Sequence, residues 1–146
     1  MPLADSNFWI ALALSKHPFH DEARSWLAQQ SSRDPVLFCR STQQTFLRLL
    51  TTQAVCAPFG IPPLTNRVAW STYESFQADD RISWTEEPAG LNARWQKFAN
   101  RPTASPKLWM DAYLAAFAME GGHQLVTIDK DFQQFKGINL HLLSKA

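Results

Sequence analysis

The chain has 146 residues, the size of one ordinary domain and enough to bury about 70% of its unfolded surface. An apolar share of 45% and a charged share of 18% exclude a disordered chain. A net charge of +1 gives no overall electrostatic case for nucleic acid and leaves only a local basic patch to be sought.

Cys39 and Cys56 suggest neither a disulfide framework nor a metal knuckle, and Cys39 reads as a small buried residue. No window approaches the roughly 18 consecutive apolar residues of a membrane span, so the expected compartment is the cytoplasm.

Leu3-Ala4 predicts a minimal strand running into Asp5-Ser6-Asn7, good N-cap residues for a helix through Leu12. Lys16-His17-Pro18 stops that helix. Asp21 to Gln30 supplies a second, with Ala23, Trp26 and Leu27 on one face. Val36 to Cys39 is an apolar run suited to a strand buried on both faces. Ser41-Thr42 is placed as the cap of a helix ending near Leu50. Ala57 to Leu64, with three prolines and a glycine, reads as a loop and hinge.

Thr65 to Gln77 is expected to be helical with Val68, Ala69, Thr72 and Phe76 inward. Ile82 to Trp84 then forms a short strand and Leu91 to Ala99 a helix. After an exposed loop over Arg101 to Lys107, Trp109 to Glu120 is a helix stopped by Gly121-Gly122. Gln124 to Ile128 is a strand, Asp129 to Phe135 a turn with a short helix, and Ile138 to Leu143 a final strand. Helices alternating with strands argue for a single three-layer α/β domain over residues 1–146. Its central sheet is mostly parallel, of four to five strands.

That architecture gives three scattered aspartates a common address. Asp5 and Asp129 both follow strands and belong at the carboxyl edge of the sheet, where open parallel sheets gather ligands. Asp111 shares a helix face with the wholly apolar Leu114, Ala115 and Ala118, so its carboxylate points inward. A buried carboxylate needs a cation, a donor or a raised pKa, and clustered carboxylates suit Mg²⁺ or Mn²⁺. Each position also has a local alternative. Asp5 serves equally as a helix N-cap, Asp111 as a first-turn residue favoured by the helix dipole, and Asp129 as an ordinary turn residue.

The sequence around these acids resembles a known family. Trp109-Met110-Asp111-Ala112-Tyr113-Leu114-Ala115-Ala116-Phe117-Ala118, followed by Gly121 to Phe132, is similar to the C-terminal signature of PIN domains, and more narrowly of VapC-type ribonuclease toxins. Leu3-Ala4-Asp5-Ser6-Asn7 resembles their N-terminal motif. His17 to Ala23 with Trp26-Leu27, and Cys39 to Leu50, resemble segments of one toxin subgroup.

The resemblance implies an α/β/α PIN fold and Mg²⁺ or Mn²⁺ held by Asp5, Asp111 and Asp129. It implies endonucleolytic cleavage of RNA, a cognate VapB-type antitoxin and a homodimer. Asn7 and Thr127 match polar positions beside the acids, and Asp131 is an outer carboxylate or an exposed turn residue. One departure stands out: many PIN nucleases carry a glutamate where this chain has Gln43, so the cluster loses a negative charge. That loss motivates an alternative, a catalytically degenerate domain that binds RNA or protein.

Arg40 and Arg48, flanking the Gln43 helix start, are candidate RNA contacts, as are Lys107 and Lys130. His17, His20, His123 and His141 lack partners for zinc or acid–base work. Trp9, Trp26 and Trp109 read as core. Apolar surface around Trp70, Phe76, Trp84 and Trp95 exceeds what a small core hides and is available to a dimer or antitoxin interface.

Overall fold

The computed structural model describes residues 1–145. Five strands form one parallel sheet: β1 (Pro2–Ala4), β2 (Val36–Phe38), β3 (Ile82–Trp84), β4 (Gln124–Thr127) and β5 (Asn139–Leu142), in the order β3-β2-β1-β4-β5. The order reverses around β1, so β1 and β4 are central neighbours with Ala4 opposite Val126. Because every pair is parallel, all strand carboxyl ends meet along one edge. A crevice beyond that edge, at the reversal, is where such sheets place ligands.

Strand alternation sorts the core into two layers. Ala4, Val36, Phe38 and Val126 pack on one face with α1 (Ser6–Ala13), α2 (His20–Ala28), α3 (Arg40–Leu50) and α5 (Asn66–Gln77). Leu3, Leu37 and Leu125 pack on the other with α6 (Leu91–Ala99) and α7 (Leu108–Glu120). The first layer is aromatic: Trp9 stacks on Phe38 with ring centroids 3.8 Å apart, and Phe38 meets Tyr73 edge-on. Full burial of Phe8, Trp9, Phe38 and Phe46 stabilises this face by on the order of 2–3 kcal/mol per side chain.

Helix ends carry the local logic. Asp5 caps α1 by accepting the Ser6 N–H at 2.7 Å. Cys39, not Ser41-Thr42, caps α3. Its backbone is still extended, and Thr42 Oγ1 accepts the Cys39 N–H at 3.0 Å, so the helix begins at Arg40, ahead of the expected cap. At the end of α7 the His123 N–H reaches back to Ala118 O and the Gly122 N–H to Met119 O, with Gly122 at φ +68°. Only glycine takes that left-handed cap without strain, and the turn sends the chain straight into β4.

Two expectations need correcting. The stretch predicted as a hinge follows α4 (Gln53–Cys56) with a 3-10 turn over Ala57–Phe59, and Phe59, Ile61 and Leu64 are packed on the core. Apolar anchoring, rather than the prolines, decides its character. On α5, Val68 is exposed and Thr72 only half-buried, while Ala69, Tyr73 and Phe76 face inward. The inward stripe follows the larger aromatic, which gains more from burial than Val68 would.

Candidate active site

Asp5 and Asp129 lie just past the carboxyl ends of the two central strands, and one threonine ties them together. Thr127, fully buried at the end of β4, donates its hydroxyl to Asp5 Oδ2 at 2.9 Å. Thr127 Oγ1 also accepts from Asn7 Nδ2 and from the Asp129 N–H, each at 3.0 Å. Asn7 Oδ1 in turn accepts the Ile128 N–H, and the Asp5 N–H bonds Val126 O. Asn7 and Thr127 thus tie the Asp5 carboxylate to the backbone at Ile128 and Asp129. A hydroxyl that gives one bond and takes two is fully used, so its orientation is fixed.

Asp111 reaches the same edge by another route. α7 leads through its glycine turn into β4, so it runs antiparallel to the sheet and its first turn returns to the strand carboxyl ends. The helix is apolar almost all round, with Ala112 and Leu114 to Ala118 buried. Asp111 is half-buried at its head, and no hydrogen bond or ion pair reaches its carboxylate among the described residues. Burial, then the negative charges of Asp5, Asp129 and Asp131, push its pKa up to about 6. Burial also raises the Asp5 pKa, against the pull of its bonds to Thr127 and Ser6, and the charge of Asp129 adds to the rise.

These acids are therefore electrostatic neighbours, although no three His, Cys, Asp or Glu groups among the described residues approach closely enough to grip one ion as they stand. The donor set is hard oxygen alone, which fits Mg²⁺ or Mn²⁺ and not a softer metal. Repulsion from Asp5, Asp129 and Asp131 adds to burial in raising the Asp111 pKa, and a divalent cation would relieve it. Asp131 is exposed, its N–H capping Asp129 Oδ1 at 2.8 Å, which holds the turn that presents Asp129.

Gln43 lies in the first turn of α3, just past the carboxyl end of β2. The Gln43 side chain is 6% exposed, and its Oε1 accepts Arg40 Nη1 at 2.7 Å. It also lowers the Tyr73 pKa through a hydrogen bond, although burial outweighs that and raises it. Arg40 lies over the Trp84 ring, 4.7 Å from its centroid. This polar and aromatic cluster is invisible to one-dimensional spacing, and it gives the glutamine a structural employment of its own.

Arg40 opens α3 at the carboxyl edge of β2, beside the site. Arg48 lies eight residues further, about 12 Å along the helix, and shares a depression with Leu47 and Trp70. Lys107 lines a cavity with Asp111 and Asp131, and Lys130 is exposed on the turn after Asp129.

Trp9 is core and Trp26 half-buried, but Trp109 is 57% exposed, contrary to expectation. Among the aromatics assigned to an interface, Trp70 is 48% exposed, whereas Phe76, Trp84 and Trp95 are half-buried against the cores. The histidines serve structure: His17 Nδ1 accepts the Phe19 N–H, His20 Nδ1 bonds Ala11 O, and His141 stacks on Trp26.

A family model described as PIN domain matches residues 3–138. Ribonuclease VapC41 of Mycobacterium tuberculosis is 53% identical over 99% of this chain and 100% of its own length. Two solved structures share the fold. VapBC2 from Rickettsia felis, bound to a DNA fragment from its promoter, aligns with a TM-score of 0.70 at 13% identity, covering 98% of each chain. M. tuberculosis VapC20, a Sarcin-Ricin loop cleaving toxin, aligns with a TM-score of 0.66 at 17% identity, over 95% of this chain and 98% of that one.

Proposed function

Because the chain belongs to the PIN-domain family, as a VapC-type member, we infer that it is an endoribonuclease and the toxin half of a toxin–antitoxin pair. The observation that carries the reading is the placement of Asp5, Asp111 and Asp129 at one sheet edge, with Asp111 raised to a pKa of about 6 by burial and then by its acidic neighbours. Asp5, Asp111 and Asp129 would hold Mg²⁺ or Mn²⁺, which when bound supplies an activated water and offsets the charge that grows on the phosphate.

The protein's own contribution is placement. Thr127 and Asn7 fix the Asp5 carboxylate and the backbone leading to Asp129. α7 delivers Asp111 from the opposite layer, and the Asp131 N–H orients Asp129. Arg40, at the head of α3, offers a cation to the RNA backbone beside the acids.

Purified protein freed of any partner is expected to cut RNA when Mg²⁺ or Mn²⁺ is added and to stop on chelation. Asp111→Asn should be inert, and cleavage persisting in that variant would count against the assignment.

A VapB-type antitoxin is the expected partner, from the family and from the VapBC assembly among the structural neighbours. The exposed Val68 and Trp70 offer an apolar surface for it or for a second copy in a homodimer. No helix among the described residues is long and apolar enough to cross a membrane, and the cytoplasm is the compartment we assign.

A second reading, a domain that binds RNA or protein without cutting, draws on Gln43, the neutral residue where many PIN nucleases carry an acid. A calorimetric titration with Mn²⁺ separates the two, since the binding-only reading expects no uptake at millimolar metal.

A further inference from the structure

Two adjoining cavities meet at the start of α7. One, of about 420 Å³, is lined by Asp111, Asp131, Lys107 and Arg101; the other, of about 430 Å³, by Arg101, Trp109, Gln96 and Asn100. Arg101, Ser105 and Pro106 belong to both, so the two form one trough that wraps the helix start and joins the acids to Trp109. Each half is of a size that holds a small organic ligand.

The chemistry along the trough changes in order. At the acid end, Arg101 and Lys107 make no ion pair among the described residues despite their carboxylate neighbours. Arg101 spends one Nη2 bond on Gln134 Oε1 at 2.6 Å, which steadies the guanidinium and leaves its remaining donors. At the far end Trp109 is 57% exposed, and its ring is braced edge-on by Trp95, with centroids 6.3 Å apart. Trp95 Nε1 donates to Trp109 O at 2.9 Å, so the backbone under the ring is pinned too. Gln96 and Asn100 are exposed and have no side-chain hydrogen-bond partner among the described residues.

Exposing a large aromatic while fixing its position is wasteful for a core residue and suited to a stacking platform. Cations beside the acids, with a ring and two amides in the adjoining half, match the phosphate, base face and base edge that a single strand presents.

We propose that this trough is a base-recognition subsite for single-stranded RNA, in which Trp109 stacks on a base flanking the cleaved phosphate, Arg101 and Lys107 hold the adjoining backbone, and Gln96 and Asn100 read the base edge. The proposal rests on the ribonuclease reading and adds to it where sequence preference arises.

The test uses full-length Asp111→Asn protein, which binds without cutting, and four homopolymeric RNA oligonucleotides. In that background Trp109→Ala should weaken binding about tenfold, and Trp109→Phe should keep most of the affinity. Gln96→Ala and Asn100→Ala should flatten the ranking of the four homopolymers by weakening binding of the preferred one. Arg101→Ala should weaken all four alike and reduce the salt slope by about one.

Undiminished affinity in a folded Trp109→Ala protein overturns the subsite and leaves the trough to a protein partner. So does a Trp109→Phe variant as weak as the alanine. Wild-type cleavage of RNA is measured alongside: if the wild type cuts and only the Trp109 result fails, the subsite alone is wrong. If the wild type cuts nothing with either metal, the ribonuclease reading falls as well.

Discussion

The two halves of the acidic cluster are built in opposite ways. Asp5 and Asp129 grow out of adjacent central strands, and each is fastened by short bonds through Thr127, Ser6 or Asp131. Asp111 arrives on a helix packed mainly by apolar contacts, and among the described residues no donor or cation bonds its carboxylate. One half is satisfied by the fold, and the other is left under tension that a cation relieves. A site made wholly of satisfied carboxylates would have little reason to bind a metal. One made wholly of unsatisfied ones would strain the sheet centre.

That contrast is broken most severely at Asp111. Asp111→Asn should lower RNA cleavage by roughly 10³-fold or more, since it removes a charge facing the phosphate. The same variant should melt higher than wild type in metal-free buffer at neutral pH, checked by circular dichroism. Asp5→Asn should cost comparable activity without that gain being as large, because Asp5 already has donors.

Next comes the fastened half. Thr127→Val keeps the shape but deprives Asp5 of its donor and Asn7 of its acceptor, at a cost of about 1–3 kcal/mol in denaturant unfolding and roughly tenfold in cleavage. Thr127→Ser should restore most of both. Equal defects in Val and Ser would show that the methyl, not the hydroxyl, matters.

A pH series sharpens the comparison further. Asp111 keeps its proton up to about pH 6 when folded but loses it near the ordinary carboxylate value when unfolded. Between those values the native state binds more protons, so metal-free stability should fall as pH rises through the window, by on the order of 1–2 kcal/mol. Asp111→Asn should flatten that slope; a slope unchanged in the variant would move the effect to another acid.

The smallest effect is expected at Gln43. Its oxygen already accepts from Arg40, so Gln43→Glu should form an ion pair there and change cleavage less than about twofold. A large gain in activity would return the position to the metal cluster.

Much of this was legible in one dimension, for identifiable reasons. Apolar runs marked β2 and β4 because a strand buried on both faces admits little else, and the glycine pair marked the end of α7 because its cap needs a left-handed residue. Asp5 and Asp129 were placed by the rule that parallel strands point their carboxyl ends one way, Asp111 by the apolar face of its helix, and the family resemblance supported both. What escaped depended on neighbours distant in sequence. The pairing of Gln43 with Arg40 and the exposure of Trp109 beside Trp95 follow from packing between elements. The inward turn of Tyr73 in place of Val68 was decided by Phe38 on another strand.

The bond from Thr127 to Asp5 spans 122 residues of chain. While the polypeptide is being made, Asp5 emerges early and waits for almost all the rest before its threonine, its strand partner β4 and Asp129 exist. Contacts of such long range form late and make folding slow. A nascent chain, or one broken off before residue 124, lacks β4, Thr127 and Asp129, so the contacts that fasten the Asp5 carboxylate cannot form.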